Sequence, residues 1–291
     1  MSSLGAARPE EENVYKTIST GPPPELAKPT KEVFEKLQPS ILHNAFVELM
    51  QETDKVIAKI SPYVAMMRPL SKKYRIRAAA RPETADLDAL AAAFGIELPP
   101  LYVVPDDNEL AVLPYFMSGR ETSLLFKESD LGPAQLQKTK FMVAAAAASL
   151  SLGISTFKSV NFPTFLGFMQ GIFLCLDPER AVLDNPELKA NAEAVSRAMP
   201  RKVRDVFKTR LDTIEADLNE TGLSIQYQAL QLTCYRYALV TLRDIGPGLE
   251  LLGAITNSGI LPIQGGMGDM LKFVVSDEHF EVRKALGSAL T

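Results

Sequence analysis

Histidine is almost missing from this chain. Only His43 and His279 occur in 291 residues, cysteine is limited to Cys175 and Cys234, and there is no tryptophan. Zinc sites draw on neutral His or thiolate Cys at short spacings, and a helical metalloprotease needs two His four apart with a Glu after the first. The two histidines sit near opposite ends of the chain, so that motif does not occur. No Gly-Lys pair exists, which excludes a P-loop, and no Gly-x-Ser-x-Gly elbow is present. Gly246-Pro247-Gly248 and Gly265-Gly266-Met267-Gly268 both miss the dinucleotide fingerprint and read as loops. Cys-His catalysis would have to join Cys175 or Cys234 with His43 or His279 through the fold. Both cysteines lie in apolar helical patterns and read as buried free thiols. His43 lies one position off a helical apolar stripe and reads as a half-buried structural residue.

Charge of either sign is not in large excess. Lys and Arg number 31 and Asp and Glu 35, for a net charge of -4, which lacks the basic surplus of a dedicated nucleic-acid binder. Met1 to Pro9 contains no apolar run of the secretory type. With the free thiols, that predicts a cytoplasmic protein. Hydrophobic residues make up 46% of the chain, enough for a sizeable core without a metal or disulfide staple. Two uncharged stretches, Phe141 to Phe157 and Ser159 to Leu176, approach membrane-spanning length. The first is mostly Ala and Ser, and the second contains Asn161, Pro163 and Gln170. Both read as buried core helices, with membrane contact as the weaker alternative.

Residues 1–30 are rich in Pro and Glu and read as a disordered tail. Residues 31–80 read as a helical extension. It holds a short helix over Lys31 to Leu37, then one from Ser40, its cap, with Leu42, Phe46, Leu49, Val56 and Ile60 as the apolar stripe. Pro82 to Phe94 predicts a helix stopped by Gly95. Short strands are then expected at Leu101 to Val104, Leu110 to Pro114 and Thr122 to Phe126, with a turn at Asp106-Asp107-Asn108. Beyond Pro133 the pattern is helical almost to the end. An Ala-rich helix runs to Leu150, and a second is capped by Asn161 and ends near Leu176. A third starts at Asn185-Pro186. An amphipathic stripe of Val203, Phe207, Leu211, Ile214 and Leu218 ends at Gly222, and Ile225 to Leu242 forms a long buried helix. Three helices follow, over Leu249 to Ile255, Met267 to Val275 and Asp277 to Leu286, the last capped by Ser276.

The order strand Pro99 to Val104, turn Asn108 to Val112, strand Thr122 to Phe126 and helix Pro133 to Leu150, with the later helix around Tyr227 to Asp244, resembles the HtpX-like family of zinc metalloproteases. It is more similar still to inactive relatives found at the C-terminal ends of large bacterial proteins, often behind helical repeats. The ending Leu271 to Phe280, with Arg283 and Leu286-Gly287, is similar to theirs. The resemblance implies an α+β, mainly α-helical fold with a small three- to four-stranded sheet packed on zincin-like helices, and makes residues 81–291 a degenerate metalloprotease-like domain. It places Ala145 and Ser149 where the family carries its His ligands, Ala146 at the catalytic Glu, Gln231 at the Glu ligand and Tyr235 at an Asp. No zinc and no other cofactor is therefore expected, and no peptidase activity. In an apo site buried His and Glu would lie unpaired, so Ala at those positions removes a desolvation cost and lets helices close.

The resemblance implies a non-catalytic domain that binds or scaffolds another protein. The expected peptide edge is the third strand, Thr122, Ser123, Leu124, Leu125 and Phe126. The alternatives are an enzyme of another class, using acids such as Asp244, Glu250 and Asp269 in the former cleft, and a membrane-associated helper. Nucleic acid is not an expected partner.

Overall fold

The structure, a computed structural model, describes residues 27, 30–60, 71–85, 87–107, 115–117, 123–176, 186–208, 219–242, 244–257 and 266–288. The fold is α+β and mainly α-helical, as anticipated. The described residues form twelve α-helices and one four-stranded sheet.

The N-terminal helices belong to the main core. Helix α1 (Lys31–Leu37) starts at Thr30, whose hydroxyl accepts the Val33 N–H. Its Leu37 and the Phe46, Leu49 and Met50 of α2 (Asn44–Ile60) share one apolar cluster with the C-terminal helices. Helix α2 begins at Asn44 rather than at Ser40. His43 therefore stands outside the helix and is exposed, not half-buried as the stripe predicts.

The sheet is built from β1 (Arg75–Ile76), β2 (Leu101–Val104), β3 (Tyr115–Met117) and β4 (Ser123–Lys127), in the order β1-β2-β4-β3. Strand β1 is antiparallel to β2, β4 runs parallel to β2, and β3 is antiparallel to β4. The expected peptide edge is thus an interior strand. Ser123, Leu124 and Leu125 pair with β3, and Leu124, Leu125 and Phe126 pair with β2, so among the described residues this strand is flanked on both sides. Thr122 and the expected strand over Leu110 to Pro114 lie outside the described residues.

Helix α3 (Leu87–Ala93) ends at Gly95, whose φ of +72° is the left-handed turn that glycine adopts without strain. Helix α4 (Leu136–Ser151) is the Ala-rich one. It ends in a Schellman turn: Ile154 N–H donates to Ser149 O and Gly153 N–H to Leu150 O, both at 2.9 Å, with Gly153 at φ +69°. Helix α4 lies between the sheet and the other helices. Val143, Ala146 and Leu150 pack toward Leu101, Val103, Leu124 and Phe126, while Phe141, Ala144, Ala145 and Ala148 join the helical core.

The chain continues through α5 (Ser155–Ser159), α6 (Phe162–Leu176), α7 (Pro186–Ala198) and α8 (Arg201–Lys208). Asn161 caps α6 by accepting the Thr164 N–H at 3.0 Å. The remainder of the expected amphipathic stripe, from Leu211 to Leu218, lies outside the described residues. Helix α9 (Glu220–Thr241) is buried along most of its length. It starts at Asn219, whose side chain accepts the Gly222 N–H at 2.8 Å. Gly222 thus sits in the first turn of a helix instead of ending one. Helices α10 (Gly246–Asn257), α11 (Gly266–Val274) and α12 (Asp277–Ala285) complete the fold, with Ser276 capping α12. Gly246-Pro247-Gly248 opens α10 rather than lying in a loop. Among the described residues, no helix is long and apolar enough to cross a membrane. The two uncharged stretches form α4, α5 and α6, whose Phe141, Phe157, Phe165 and Phe168 are buried.

Candidate functional site

Helices α4 and α9, which carry the five positions singled out in the sequence, pack directly against each other. Ala145, Ser149, Gln231 and Tyr235 are all buried to 1% exposure or less, and Ala146 turns toward the sheet cluster. The closure is aromatic. The rings of Phe141 and Tyr235 stack with centroids 5.8 Å apart and planes 10° from parallel. Lys158, on α5, brings its Nζ to 4.4 Å from the Tyr235 ring centroid and donates to the Tyr235 hydroxyl at 3.1 Å. Gln231 Nε2 donates to Lys158 O at 3.5 Å, and Gln231 Oε1 has no partner among the described residues. Ser149 donates to Ala146 O within its own helix at 2.7 Å.

These residues do not suit a zinc ion. Two alanines, a hydroxyl already bonded to its own helix, a neutral amide and a phenol bonded to an ammonium offer neither imidazole nor thiolate nor carboxylate. Among the described residues no group of three or more His, Cys, Asp or Glu is placed to hold a metal. The Lys158 ammonium, next to Gln231 and Tyr235, would itself repel a divalent cation.

A third helix presses on the same contact. A Cβ added at Gly248, in the first turn of α10, would lie 2.7 Å from Phe141 Cδ2. The Phe141 ring is fully buried and stacked on Tyr235, so it has nowhere to swing. Gly248→Ala is expected to lower stability by about 1–3 kcal/mol, the usual penalty of an overpacked core. Urea unfolding measures it, and an unchanged midpoint would show that this contact is slack.

The acidic residues weighed for a second chemistry do not converge. Asp269 pairs with Arg236 at 2.6 Å, Glu250 with Lys138 at 3.1 Å, and Asp244 accepts the Gly246 N–H at 3.0 Å. Each is spoken for by a different neighbour. The cysteines are free thiols: Cys175 is half-buried and Cys234 fully buried, where desolvation pushes its pKa up to about 12. That thiol is no nucleophile near neutrality.

Two buried titratable groups escape the sequence reading. Asp54 on α2 accepts the Thr156 N–H at 2.8 Å, the Phe157 N–H at 3.4 Å and the Ser155 hydroxyl at 3.3 Å, and so caps α5 from a distant helix. Desolvation outweighs these bonds and raises its pKa to about 6. His279 on α12 is 3% exposed, lies edge-on to Phe273 and Phe280, and has no hydrogen-bond partner on either ring nitrogen among the described residues. Burial, helped by the nearby Arg283 charge, lowers its pKa to about 4. Nothing in the sequence flagged Asp54, because its partners lie about a hundred positions away.

An open groove of about 860 Å³ lies elsewhere, along β1. It is lined by Ile76, Leu98 and Leu150, by Lys72, Arg75 and Arg77 from the β1 side, and by Asp88 and Glu97 from α3 and the lead into β2.

No protein-family model matches this chain, and no curated protein and no solved structure is significantly similar to it.

Proposed function

We propose that this chain is a non-catalytic, zincin-like domain that works by binding another protein. The observation that carries the reading is the sealed contact between α4 and α9. At the positions that the resemblance assigns to two His, a catalytic Glu, a third ligand and an Asp stand Ala145, Ser149, Ala146, Gln231 and Tyr235, and four of these five are fully buried against neighbours. Reacting groups must reach a substrate, and a contact filled by Phe141, Tyr235 and the first turn of α10 leaves no room for one. The separate pairing of Asp244, Glu250 and Asp269 speaks against chemistry by carboxylates in the same region.

The test is incubation of the full chain with a mixture of unstructured peptides and with denatured casein, in the presence of added zinc, read by mass spectrometry. All substrates are expected to stay intact. Cleavage products that disappear on adding a chelator would overturn the reading.

A further inference from the structure

Strand β1 stands at the end of the sheet. Its residues Arg75 and Ile76 pair with Tyr102 and Leu101 on one side, and among the described residues no strand pairs with the other. The Arg75 N–H is spent on Lys72 O in the preceding turn, and the outer backbone groups that remain can take a further extended segment. The groove of about 860 Å³ opens beside β1 and the start of β2, with Ile76, Leu98 and Leu150 as apolar lining and Pro99, Pro100 and Leu101 on the β2 side. Its volume suits a short run of peptide.

The charge around the edge selects the segment. Lys72, Arg75 and Arg77 are exposed, and none has a carboxylate partner among the described residues. They belong to the run Lys72-Lys73-Tyr74-Arg75-Ile76-Arg77, which is strongly basic in a chain whose net charge is -4. Unpaired cations clustered beside an open strand favour a partner that brings carboxylates. Asp88 and Glu97 line the same groove, and they would repel a phosphodiester backbone running through it. In an extended peptide alternate side chains face opposite sides, so carboxylates can face the cations while neutral side chains face these two acids.

We propose that the groove along β1 captures an extended acidic segment of a partner protein. The segment adds to β1 as an outer strand, sets its carboxylates against Lys72, Arg75 and Arg77, and turns its apolar side chains onto Ile76, Leu98 and Leu150. This deepens the binding role proposed above and rests on it.

The test is fluorescence anisotropy with the full chain and a labelled peptide of about ten residues alternating Glu and Val, a strand-forming acidic probe. The expected result is saturable binding that weakens as salt is added and weakens at least tenfold in Arg75→Glu/Arg77→Glu, with an unchanged thermal midpoint. Lys72→Glu alone, at an exposed turn, reads the same loss should the double variant fold poorly. A probe of equal charge with Pro at alternate positions, which cannot form the ladder, is expected to bind at least tenfold more weakly. Equal binding of the Pro probe, equal binding of a single-stranded oligonucleotide of the same charge, or indifference to the Arg substitutions would each overturn the proposal. A mass spectrum of the same samples separates the two readings. Intact but unbound probe sinks this inference alone, whereas cleaved probe sinks the non-catalytic role.

Discussion

Arg283→Met is expected to remove roughly 3–5 kcal/mol of folding free energy, because three buried carbonyls lose a charged donor whose bonds are worth about 1.5–3 kcal/mol each and local rearrangement recovers only part of that. Arg283 is 6% exposed and ties three carbonyls together. Its guanidinium donates to Leu242 O at 2.8 Å, Ser288 O at 2.7 Å and Leu239 O at 3.3 Å. Two of those carbonyls close α9, the central helix, where the helix dipole also favours a positive charge. The third anchors the segment after α12, whose Ser288 hydroxyl turns back to Val240 O. Methionine keeps most of the stem and none of the donors, so the loss reports the bonds rather than the packing. Urea titration reads it as a lower midpoint at constant slope. A loss below about 1 kcal/mol would show that water replaces the guanidinium, and that the end of α9 is wetter than its burial indicates.

The second large effect lies in the dependence of stability on pH, where two buried groups oppose each other. His279 titrates at about 4 in the folded protein against an ordinary 6.5. The unfolded chain therefore takes up its proton first, and this residue costs stability as pH falls from 6.5 toward 4. Asp54 titrates at about 6 against an ordinary 3.8. Here the folded protein holds the proton longer, and the contribution is lost as pH rises from 3.8 through 6. Between pH 4 and 6 the two slopes cancel in the wild type. His279→Phe, which keeps an aromatic ring between Phe273 and Phe280, is expected to gain roughly 2–3 kcal/mol relative to wild type on going from pH 7 to pH 4. Asp54→Asn is expected to gain a similar amount, roughly 2–3 kcal/mol, in the opposite direction, from pH 4 to pH 7. Urea unfolding of both variants beside wild type across that range measures the differences. Parallel curves for all three proteins would mean that neither group is desolvated in solution.

Local signals in the sequence carried well into the structure. The Asn161 and Ser276 caps, the Gly95 stop and the Ala-rich helix all stand close to where short-range chemistry puts them, whereas the expected Ser40 cap does not. Their partners lie within a turn or two of chain, so the residues involved are visible together. Failures came where a residue's role is set by distant chain. Gly222 has the composition of a helix stop, yet the Asn219 side chain three residues earlier makes it part of a first turn. The strand over Thr122 to Phe126 has an edge-like sequence only until β2 and β3 close on either side of it. That order depends on non-local pairing, which periodicity does not encode. His43, read as half-buried, is exposed for the same reason: it falls just outside α2, whose start is set by packing rather than by the Ser40 cap.

The candidate site shows the same division. That Ala145, Ser149 and Gln231 cannot hold zinc is legible from residue type alone. What fills the space is not, since Phe141, Tyr235, Lys158 and Gly248 come from four different helices. The β1 groove had no sequence signature beyond a short basic run, because its other wall is supplied by Asp88, Glu97 and Leu150.

The most direct measurement is the metal content of the full chain after expression with added zinc and dialysis against metal-free buffer, by elemental analysis. A body whose α4–α9 contact is closed by alanine, glutamine and stacked rings is expected to hold less than about 0.1 zinc per chain. One zinc per chain, retained through dialysis and lost together with folded stability when a chelator is added, would contradict it.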